Sequence, residues 1–318
     1  MAGRIQKFLF SVLLLSAQVA LACSGAHAAE QDRHDLALQA QVASIAAQSG
    51  GRVGIAAVDL DGGGSVYVNG DMPFPMASTA KVAISATFLD GVERGKLRLD
   101  QQFASMVPVN ERSGERSTAA PVRAGEVMVA QDLIERSITR SDNEATDGLI
   151  AAVGGISAVN AWLLRIGITG QRLDQTMATL VRDDGRIDPA TTIDVRTSST
   201  PRAMVSLLNA IDRGGALTPQ SRAALLDTMT RTSTGKNRIR AGLPTEAIFA
   251  HKTGTLAGVT DDVGIVRLPD GRHLAIAIFV AGPGGHSAHA ALIAQIARAL
   301  YDGYSQPQMG ANQEFVRR

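Results

Sequence analysis

The sequence predicts a mixed α/β fold of the α+β type, in which strands from both ends of the chain form one antiparallel sheet. Two observations lead to this prediction. Apolar patterns typical of strands occur near the beginning and again near the end of the chain, whereas the long middle part carries apolar residues at helical spacing. Because a sheet buries its face against a second layer, the middle part is expected to form an all-helical domain packed on it.

The predicted elements follow from local signals in chain order. Helices are predicted where apolar residues recur every three or four positions between capping residues and glycine or proline stops. They are Arg33–Gln48, Thr79–Leu89, Val129–Thr139, Asn143–Val153, Ile156–Ile166, Pro201–Ile211, Pro219–Met229 and Ser287–Tyr301. Strands are predicted where apolar residues alternate, or form short runs, between turn residues. They are Arg52–Leu60, Ser65–Val68, Ile248–Thr255, Val263–Leu268 and His273–Ala281.

Two stretches lack both kinds of periodicity. The first is Asn110–Ala124, and the second is Gly170–Thr200, which contains the turn signals Asp183-Asp184-Gly185 and Asp188-Pro189. A loop as long as the second is more often functional than filler in a compact domain. The predicted organisation is a signal peptide at 1–28, a sheet domain formed by 30–70 and 246–304, an all-helical domain at 71–245, and a flexible tail at 305–318.

The first 28 residues have the pattern of an export signal that is removed. Arg4 and Lys7 precede an apolar stretch from Phe8 to Leu21, and Ala26-His27-Ala28 fits a small-residue cleavage site. Because this stretch is short for a membrane span, we expect a periplasmic protein without a stable membrane anchor. Cys23 is the only cysteine, so the mature chain is expected to have no disulfide.

The charge balance does not favour nucleic acid as a partner. The formal net charge is +1 for the whole chain and becomes −1 when the two basic residues of the signal peptide are removed. The six histidines do not form a metal-ligand pattern with acidic residues, so we expect no cofactor. We expect a monomer that acts on a small molecule.

Lys81 is the first residue that points to chemistry. It is the only charge in the apolar helix predicted from Thr79 to Leu89, and Ser78 lies three residues before it on the same helix face. Burial lowers the pKa of a lysine, and a neutral lysine can take the proton of a serine that acts as a nucleophile. A serine and a lysine at this spacing also occur in helices without function, so other motifs must decide.

Two further motifs accompany this pair. Ser141-Asp142-Asn143 lies at a break between predicted helices, and Lys252-Thr253-Gly254 lies on a predicted strand and is followed by Thr255. Taken singly, the first motif also fits a helix cap and the second an edge strand with a glycine bulge. Together, S-x-x-K, S-D-N and K-T-G in this order are the signature of penicillin-recognising serine enzymes.

On these motifs the chain resembles the class A β-lactamases over nearly its whole mature length. Three further parts of the sequence support the resemblance. They are Phe74, the segment Thr234–Pro244 ahead of the strand that contains Lys252, and the helix start Thr200–Met204. The resemblance implies a five-stranded antiparallel sheet flanked by helices and packed on an all-helical domain, in agreement with the outline above. It also implies a hydrolase whose substrate is a β-lactam or a D-Ala-D-Ala-like compound.

The resemblance also implies a role for each motif residue. Ser78 would attack the lactam carbonyl and form the acyl-enzyme, with an oxyanion hole made of the Ser78 and Thr255 N–H groups. Ser141 would pass a proton to the leaving ring nitrogen. The implied catalytic residues are Ser78, Lys81, Ser141 and Thr255, and the implied substrate-binding residues are Asn143, Lys252, Thr253 and Gly254.

The chain departs from the family where the acyl-enzyme is hydrolysed. The family has a loop that reads Arg-x-x-x-x-Glu-Pro-x-x-Asn, whereas Arg172–Val181 has Met177 in place of the glutamate and Val181 in place of the asparagine. Asp147 stands where the family usually has an asparagine that contacts the glutamate. We therefore expect slow deacylation or a different base, for which the candidates are Asp147, Asp183 and Asp184.

Two alternatives to a β-lactamase stay open at this point. A peptidoglycan D-alanyl carboxypeptidase or esterase-like penicillin-binding protein would share the three motifs and lack the loop glutamate. A β-lactam binder or sensor that stays acylated would also fit, although the sequence contains no second domain to transmit a signal. An α/β-hydrolase is not supported, because no G-x-S-x-G surrounds Ser78.

Overall fold

The computed structural model describes residues 30–110 and 118–306. The predicted signal peptide, residues 111–117 of the predicted Asn110–Ala124 loop and residues 307–318 of the predicted tail lie outside the described residues. Among the described helices, none is by itself long and apolar enough to cross a membrane. The helices Asn143–Ala152 and Ile156–Arg165 reach that length and apolarity only as a pair, and they are bent by 72°.

The described strands and helices are numbered in chain order. The strands are β1 (Arg52–Asp59), β2 (Ser65–Val68), β3 (Phe74–Pro75), β4 (Gln102–Pro108), β5 (Val122–Val129), β6 (Gln171–Arg172), β7 (Ser198–Ser199), β8 (Phe249–Leu256), β9 (Val259–Arg267) and β10 (His273–Ala281). The helices are α1 (30–46), α2 (Lys81–Glu93), α3 (Ala130–Thr139), α4 (Asn143–Ala152), α5 (Ile156–Arg165), α6 (Met177–Arg182), α7 (Pro201–Asp212), α8 (Pro219–Thr230), α9 (Ile239–Gly242) and α10 (Gly285–Ser305).

Strands from both ends of the chain form one antiparallel sheet in the order β2-β1-β10-β9-β8. β1 lies beside β10, with Ile55 opposite Ile278, and β8 lies at one edge of the sheet. The predicted fold class, a five-stranded antiparallel sheet with a helical domain packed on it, is therefore confirmed.

Both faces of the sheet are buried, which explains why β10 reads as a continuous apolar run. Alternate residues of β10 belong to two different cores because side chains along a strand point to opposite faces. The core shared with α1 and α10 includes Leu274, Ile276, Ile278 and Val280. The core shared with the helical domain includes Ala275, Ala277, Phe279 and Ala281. Phe279 stacks on Phe74 with 5.8 Å between ring centroids, which holds the chain just before Ser78 against the sheet.

Helix α2 runs through the middle of the helical domain, as its composition predicts. Every residue from Lys81 to Leu89 is buried, and α3, α4, α5 and α8 pack around the helix. A helix buried on all sides has no polar face. Lys81, the first residue of α2, is therefore held in the interior of the protein.

The structure adds elements that the sequence patterns did not predict. β4 and β5 form a hairpin before α3, and most residues of β5 are exposed, so no alternation of buried residues marks it. Within the Gly170–Thr200 stretch, α6 is only one and a half turns long and β6 and β7 are shorter still. Such short elements are too brief to show a periodicity.

Three predicted boundaries were wrong by four residues. α2 continues to Glu93, past its predicted end at Leu89. β9 begins at Val259 rather than Val263, because Thr260, Asp261 and Asp262 are fully buried strand residues despite their polarity. α10 continues to Ser305, past its predicted end at Tyr301, since Tyr304 still packs into the core shared with α1.

Candidate active site

Ser78 lies in a 3₁₀ turn, Ala77–Ala80, immediately before α2. Ala77 has a φ of +45°, a left-handed conformation that costs about 1–3 kcal/mol for a residue with a side chain. The surrounding contacts maintain this turn, because both the amide and the hydroxyl of Thr79 donate to Met76 O, at 2.9 and 2.7 Å. The turn leaves Ser78 partly exposed at the end of an otherwise buried helix.

Lys81 is fully buried, and its Nζ donates hydrogen bonds to polar atoms of the Ser141 motif. The distances are 2.6 Å to Ser141 O, 3.2 Å to Ser141 Oγ and 2.6 Å to Asn143 Oδ1. Burial lowers the pKa of Lys81 to about 7, against the carboxylates of Asp142 and Asp147, which raise it. A lysine with this pKa is neutral in about half of the molecules at pH 7.

Lys252 also donates a hydrogen bond to Ser141. Its Nζ donates to Ser141 Oγ at 2.9 Å, and burial, followed by the charge of Lys81, lowers the pKa of Lys252 well below its usual value. Ser141 has a φ of +59°, a second strained residue in the site. A hydroxyl oxygen accepts two hydrogen bonds and donates one. When both lysines donate, the hydroxyl hydrogen of Ser141 is left for a third partner.

Asn143 and Asp142 complete this motif with different tasks. Asn143 is the first residue of α4, and its side-chain oxygen accepts the hydrogen bond from Lys81. Asp142 caps α4, because its Oδ1 accepts from Ala145 N at 3.0 Å while its Oδ2 lies 2.8 Å from Arg136 Nη2. Asp142 therefore orients the helix that carries Asn143.

The edge strand β8 packs against the 3₁₀ turn of Ser78. A Cβ atom on Gly254 would lie 2.7 Å from Met76 O and 2.8 Å from Asp261 Oδ2, which is closer than real Cβ contacts. Only glycine fits at this position without a shift of the turn or of the strand. The close approach places Thr255, the next residue of β8, beside the turn.

Arg238 is a site residue to which the sequence analysis gave no role. Its buried guanidinium donates to Gly254 O at 2.7 Å and to Thr255 Oγ1 at 2.6 Å. Thr253 Oγ1 lies 2.6 Å from Thr234 Oγ1, in the segment that precedes α9. The Thr234–Pro244 segment contains three basic residues, Lys236, Arg238 and Arg240, and sequence spacing does not show which of them reaches β8.

Asp147, one of the three candidate bases, is buried and holds the loop of the missing glutamate. Its Oδ1 accepts from Met177 N at 2.7 Å and its Oδ2 from Ala178 N at 2.8 Å. Burial raises the pKa of Asp147 to about 6, although these two amides and Lys81 lower it.

The other two candidate bases also contact the loop and its surroundings. Burial raises the pKa of Asp183, but nearby guanidinium groups outweigh it and the net shift is downward. These groups belong to Arg182, Arg186 and Arg196. Asp184 Oδ1 accepts from Ala257 N at 2.8 Å and ties the loop to the turn between β8 and β9. A carboxylate with a lowered pKa is a weak base.

The structure thus brings residues of the three sequence motifs to one place. Ser78, Lys81 and Ser141 bring together a partly exposed hydroxyl, an amine of lowered pKa and a hydroxyl between two amines, while Lys252 of β8 is the second buried amine. No group of three or more His, Cys, Asp or Glu in the described residues is arranged to hold a metal ion. The arrangement is suited to acyl transfer to a serine.

Comparison with known proteins agrees with this chemistry. A model described as the Beta-lactamase enzyme family matches residues 37–304. The extended-spectrum β-lactamase PER-1 of Pseudomonas aeruginosa is 31% identical over 276 residues, covering 83% of this chain and 86% of the relative.

Two solved structures are also similar to the chain. A class A β-lactamase described as the last common ancestor of Gram-negative bacteria has a TM-score of 0.71 and 32% identity, and covers 84% of this chain and 99% of its own. A mutant of PBP-A, in an acyl-enzyme complex with penicillin G, has a TM-score of 0.72 and 28% identity. The match covers 85% of this chain and 97% of the PBP-A chain. The chain belongs to the class A β-lactamase family.

Proposed function

We propose that the protein is a serine hydrolase that opens β-lactam rings through an acyl-enzyme on Ser78. The observation that carries this proposal is the position of the Ser141 hydroxyl, 3.2 Å from Lys81 Nζ and 2.9 Å from Lys252 Nζ. A hydroxyl that is hydrogen-bonded to two amines can relay a proton from a nucleophile to a leaving nitrogen. The likeness to proteins named β-lactamases supports a cyclic amide as the substrate.

The reaction begins when neutral Lys81 accepts the proton of Ser78 as Ser78 Oγ attacks the lactam carbonyl carbon. The N–H groups of Ser78 and Thr255 stabilise the negative charge on the carbonyl oxygen, and one such donor typically contributes about 10²–10³-fold to the rate. The carbon–nitrogen bond then breaks. Ser141 gives its proton to the ring nitrogen and regains one from Lys81. Water finally hydrolyses the ester and returns the proton to Ser78.

The site favours a substrate with a carboxylate and an amide side chain. Arg238 is a buried cation beside β8, Lys252 is a buried amine on β8, and the hydroxyl groups of Thr253 and Thr255 lie on the same strand. Cations and hydroxyl donors together bind an anionic carboxylate strongly when water is excluded. The amide of Asn143 can donate to the carbonyl of a substrate side chain while its oxygen accepts from Lys81.

We further propose that the protein acts in the periplasm after cleavage of residues 1–28. The basic start, apolar stretch and small-residue cleavage site of this segment support export. Cell fractionation tests this directly, with the full chain compared with a chain that starts at Ala29. We expect only the full chain to be processed, to reach the periplasmic fraction and to raise resistance to a penicillin.

The catalytic proposal is tested by intact-mass spectrometry of the mature protein during reaction with a penicillin, with substrate loss followed in parallel. We expect an adduct of one penicillin mass on the wild type and a loss of both adduct and turnover in Ser78→Ala. Ser287→Ala, which removes an exposed hydroxyl at the start of α10, is the matched control and should react like the wild type. No adduct together with no turnover in the wild type would eliminate the β-lactam substrate.

A peptidoglycan D-Ala-D-Ala carboxypeptidase is the second candidate, and two observations favour it. Met177 is buried at the position where a water-activating glutamate is expected, and PBP-A, a structural neighbour, is described as an acyl-enzyme complex with penicillin G. The discriminating experiment is release of D-alanine from an acyl-D-Ala-D-Ala peptide. Faster turnover of the peptide than of penicillins would favour this candidate.

A further inference from the structure

Asp261 is a carboxyl group in the interior of the sheet that the proposed reaction does not use. It is 0% exposed, and neither of its carboxylate oxygens has a hydrogen-bond partner among the described residues. Burying an ionised carboxylate without partners is so costly that such a group takes up a proton instead. These surroundings therefore favour an uncharged carboxylic acid at position 261.

The groups that face this carboxyl are apolar or are themselves hydrogen-bond acceptors. Asp261 lies directly opposite Gly254 of β8 and opposite Phe279 of β10. A Cβ atom on Gly254 would lie 2.8 Å from Asp261 Oδ2 and 2.7 Å from Met76 O. The carboxyl therefore faces a carbonyl oxygen at the start of the turn that carries Ser78. A protonated carboxyl has an O–H group to donate, whereas a carboxylate can only accept hydrogen bonds.

The charged groups near Asp261 do not reverse this preference. Burial raises the pKa of Asp261 well above its usual range, against the charge of Arg238 and the amide of Val280, which lower it. The carboxylate of Asp262 adds to the rise. Consecutive strand residues point to opposite faces of a sheet. Asp262 is accordingly held on the other face, where its Oδ1 lies 2.9 Å from His251 Nδ1.

Arg238 is the cation whose charge an ionised Asp261 would oppose. Its buried guanidinium donates to Gly254 O and Asp261 O at 2.7 Å each and to Thr255 Oγ1 at 2.6 Å. These three acceptors are uncharged, and the bond to Asp261 goes to its backbone while its carboxyl faces the turn of Ser78. Because Thr255 is exposed, the charge of Arg238 is available to an anion that reaches this end of β8.

We propose that Asp261 is an uncharged carboxylic acid at neutral pH, and that this state keeps the positive charge of Arg238 free for an anionic substrate. An ionised carboxylate at position 261 would oppose that charge in the protein interior, where charges interact more strongly than in water. The inference rests on the proposed function for the identity of the anionic substrate. The protonation state of Asp261 does not depend on that substrate.

Infrared spectroscopy of the mature protein at pH 8 tests the protonation state. A protonated carboxyl has a C=O stretching band that a carboxylate lacks. We expect this band in the wild type and its loss in Asp261→Asn, whereas Asp184→Asn, which removes a loop carboxylate, is the matched control and should keep it. Asp147, the pKa of which burial raises to about 6, is ionised at this pH and does not contribute.

The pH dependence of unfolding gives a second readout. A carboxyl whose pKa is raised by folding lowers the stability of the folded state once the pH exceeds its unfolded value of 3.8. The ratio of the unfolding equilibrium constants of the wild type and Asp261→Asn, measured in urea, should therefore rise by about 10²–10³-fold between pH 4 and pH 7. Asp261→Val, which matches the buried same-face neighbours Val259 and Val263, replaces Asp261→Asn if the latter does not fold.

Acylation rates connect the protonation state with the choice of substrate. The rate with an anionic penicillin is divided by the rate with its uncharged ester, and this ratio is compared with the infrared band as the pH is raised from 8. In the wild type the ratio should fall wherever the band is lost and stay constant wherever the band persists. Asp261→Asn should keep a constant ratio, because its amide does not ionise.

The inference is overturned if the wild type has no carboxylic acid band at pH 8, or if the ratio of unfolding constants does not rise with pH. It is also overturned if Asp261→Asn raises the ratio of acylation rates at pH 8 by about tenfold or more, since this would mean that a charge had been removed. If the wild type forms no adduct and has no turnover, the proposed function fails, while the infrared and unfolding data still decide the state of Asp261.

Discussion

The lowered pKa of Lys81 leads to a pH dependence whose size separates two mechanisms. A lysine with the ordinary pKa of 10.5 is neutral in about 0.03% of molecules at pH 7, whereas a pKa of about 7 makes about half of them neutral. The neutral amine is the form that accepts the proton of Ser78, so acylation should be faster above the pKa and slower below it. Burial of Lys81 thus increases the population of competent enzyme by about three orders of magnitude.

The expected profile between pH 6 and pH 8 follows from the same pKa. The neutral fraction of Lys81 rises from about 9% to about 91%, so the acylation rate should rise about tenfold and level off above pH 8. An unperturbed lysine would produce a rise of about 100-fold over this range without levelling off. Stopped-flow measurement of acylation by a fluorescent penicillin distinguishes the two profiles.

Control variants make this test specific to the amine. Lys81→Met keeps a side chain of similar volume and removes the base, and should lower the acylation rate by about 10²-fold or more. Ser287→Ala should reproduce the wild-type profile. A wild-type rate that is flat between pH 6 and pH 8, or one that rises 100-fold, would refute the role of Lys81 as a base of lowered pKa.

Three further predictions concern the surroundings of the site. Gly254→Ala places a Cβ 2.7 Å from Met76 O. This variant should have a lower melting temperature in calorimetry, and its acylation rate should fall by about tenfold or more. An unchanged acylation rate would contradict the tight packing of β8. In stopped-flow assays, Arg238→Gln should lower the rate of acylation by an anionic penicillin about tenfold and the rate of acylation by an uncharged penicillin ester less. Equal losses of the two rates would argue against binding of the carboxylate by Arg238. Asp142→Ala removes the cap of α4 and should lower unfolding stability by about 1 kcal/mol in urea, whereas Asp142→Asn, which keeps an acceptor for Ala145 N, should lower it less.

Much of the fold could be predicted because its signals are local. The apolar run between turn residues indicated the strand β10, and the single charge in the first turns of α2 indicated a buried helix with a functional lysine. The hairpin β4–β5 was missed because most residues of β5 are exposed and the residues of β4 are mostly half-buried, so neither strand shows an alternation of buried residues. The beginning of β9 was missed because Asp261 and Asp262 are polar residues that only the tertiary structure buries.

The predicted site residues were chosen from three short motifs, and their relative positions required the structure. The hydrogen bonds of Lys81 and Lys252 to Ser141 join residues 60 and 111 positions apart. The role of Asp147 could not be read from sequence, because the partners of its carboxylate are backbone amides, which every residue other than proline possesses. Arg238 was missed for a similar reason, since one of its hydrogen bonds goes to the backbone carbonyl of Gly254.

The most direct measurement of the central proposal is to map the penicillin adduct to a residue. The mature protein is labelled with a penicillin, digested under acidic conditions that preserve the ester, and analysed by tandem mass spectrometry. We expect the added mass on the peptide that contains Ser78, on Ser78 itself, and no labelled peptide from Ser78→Ala. A label on any other residue, or equal labelling of Ser78→Ala, would contradict an acyl-enzyme on Ser78.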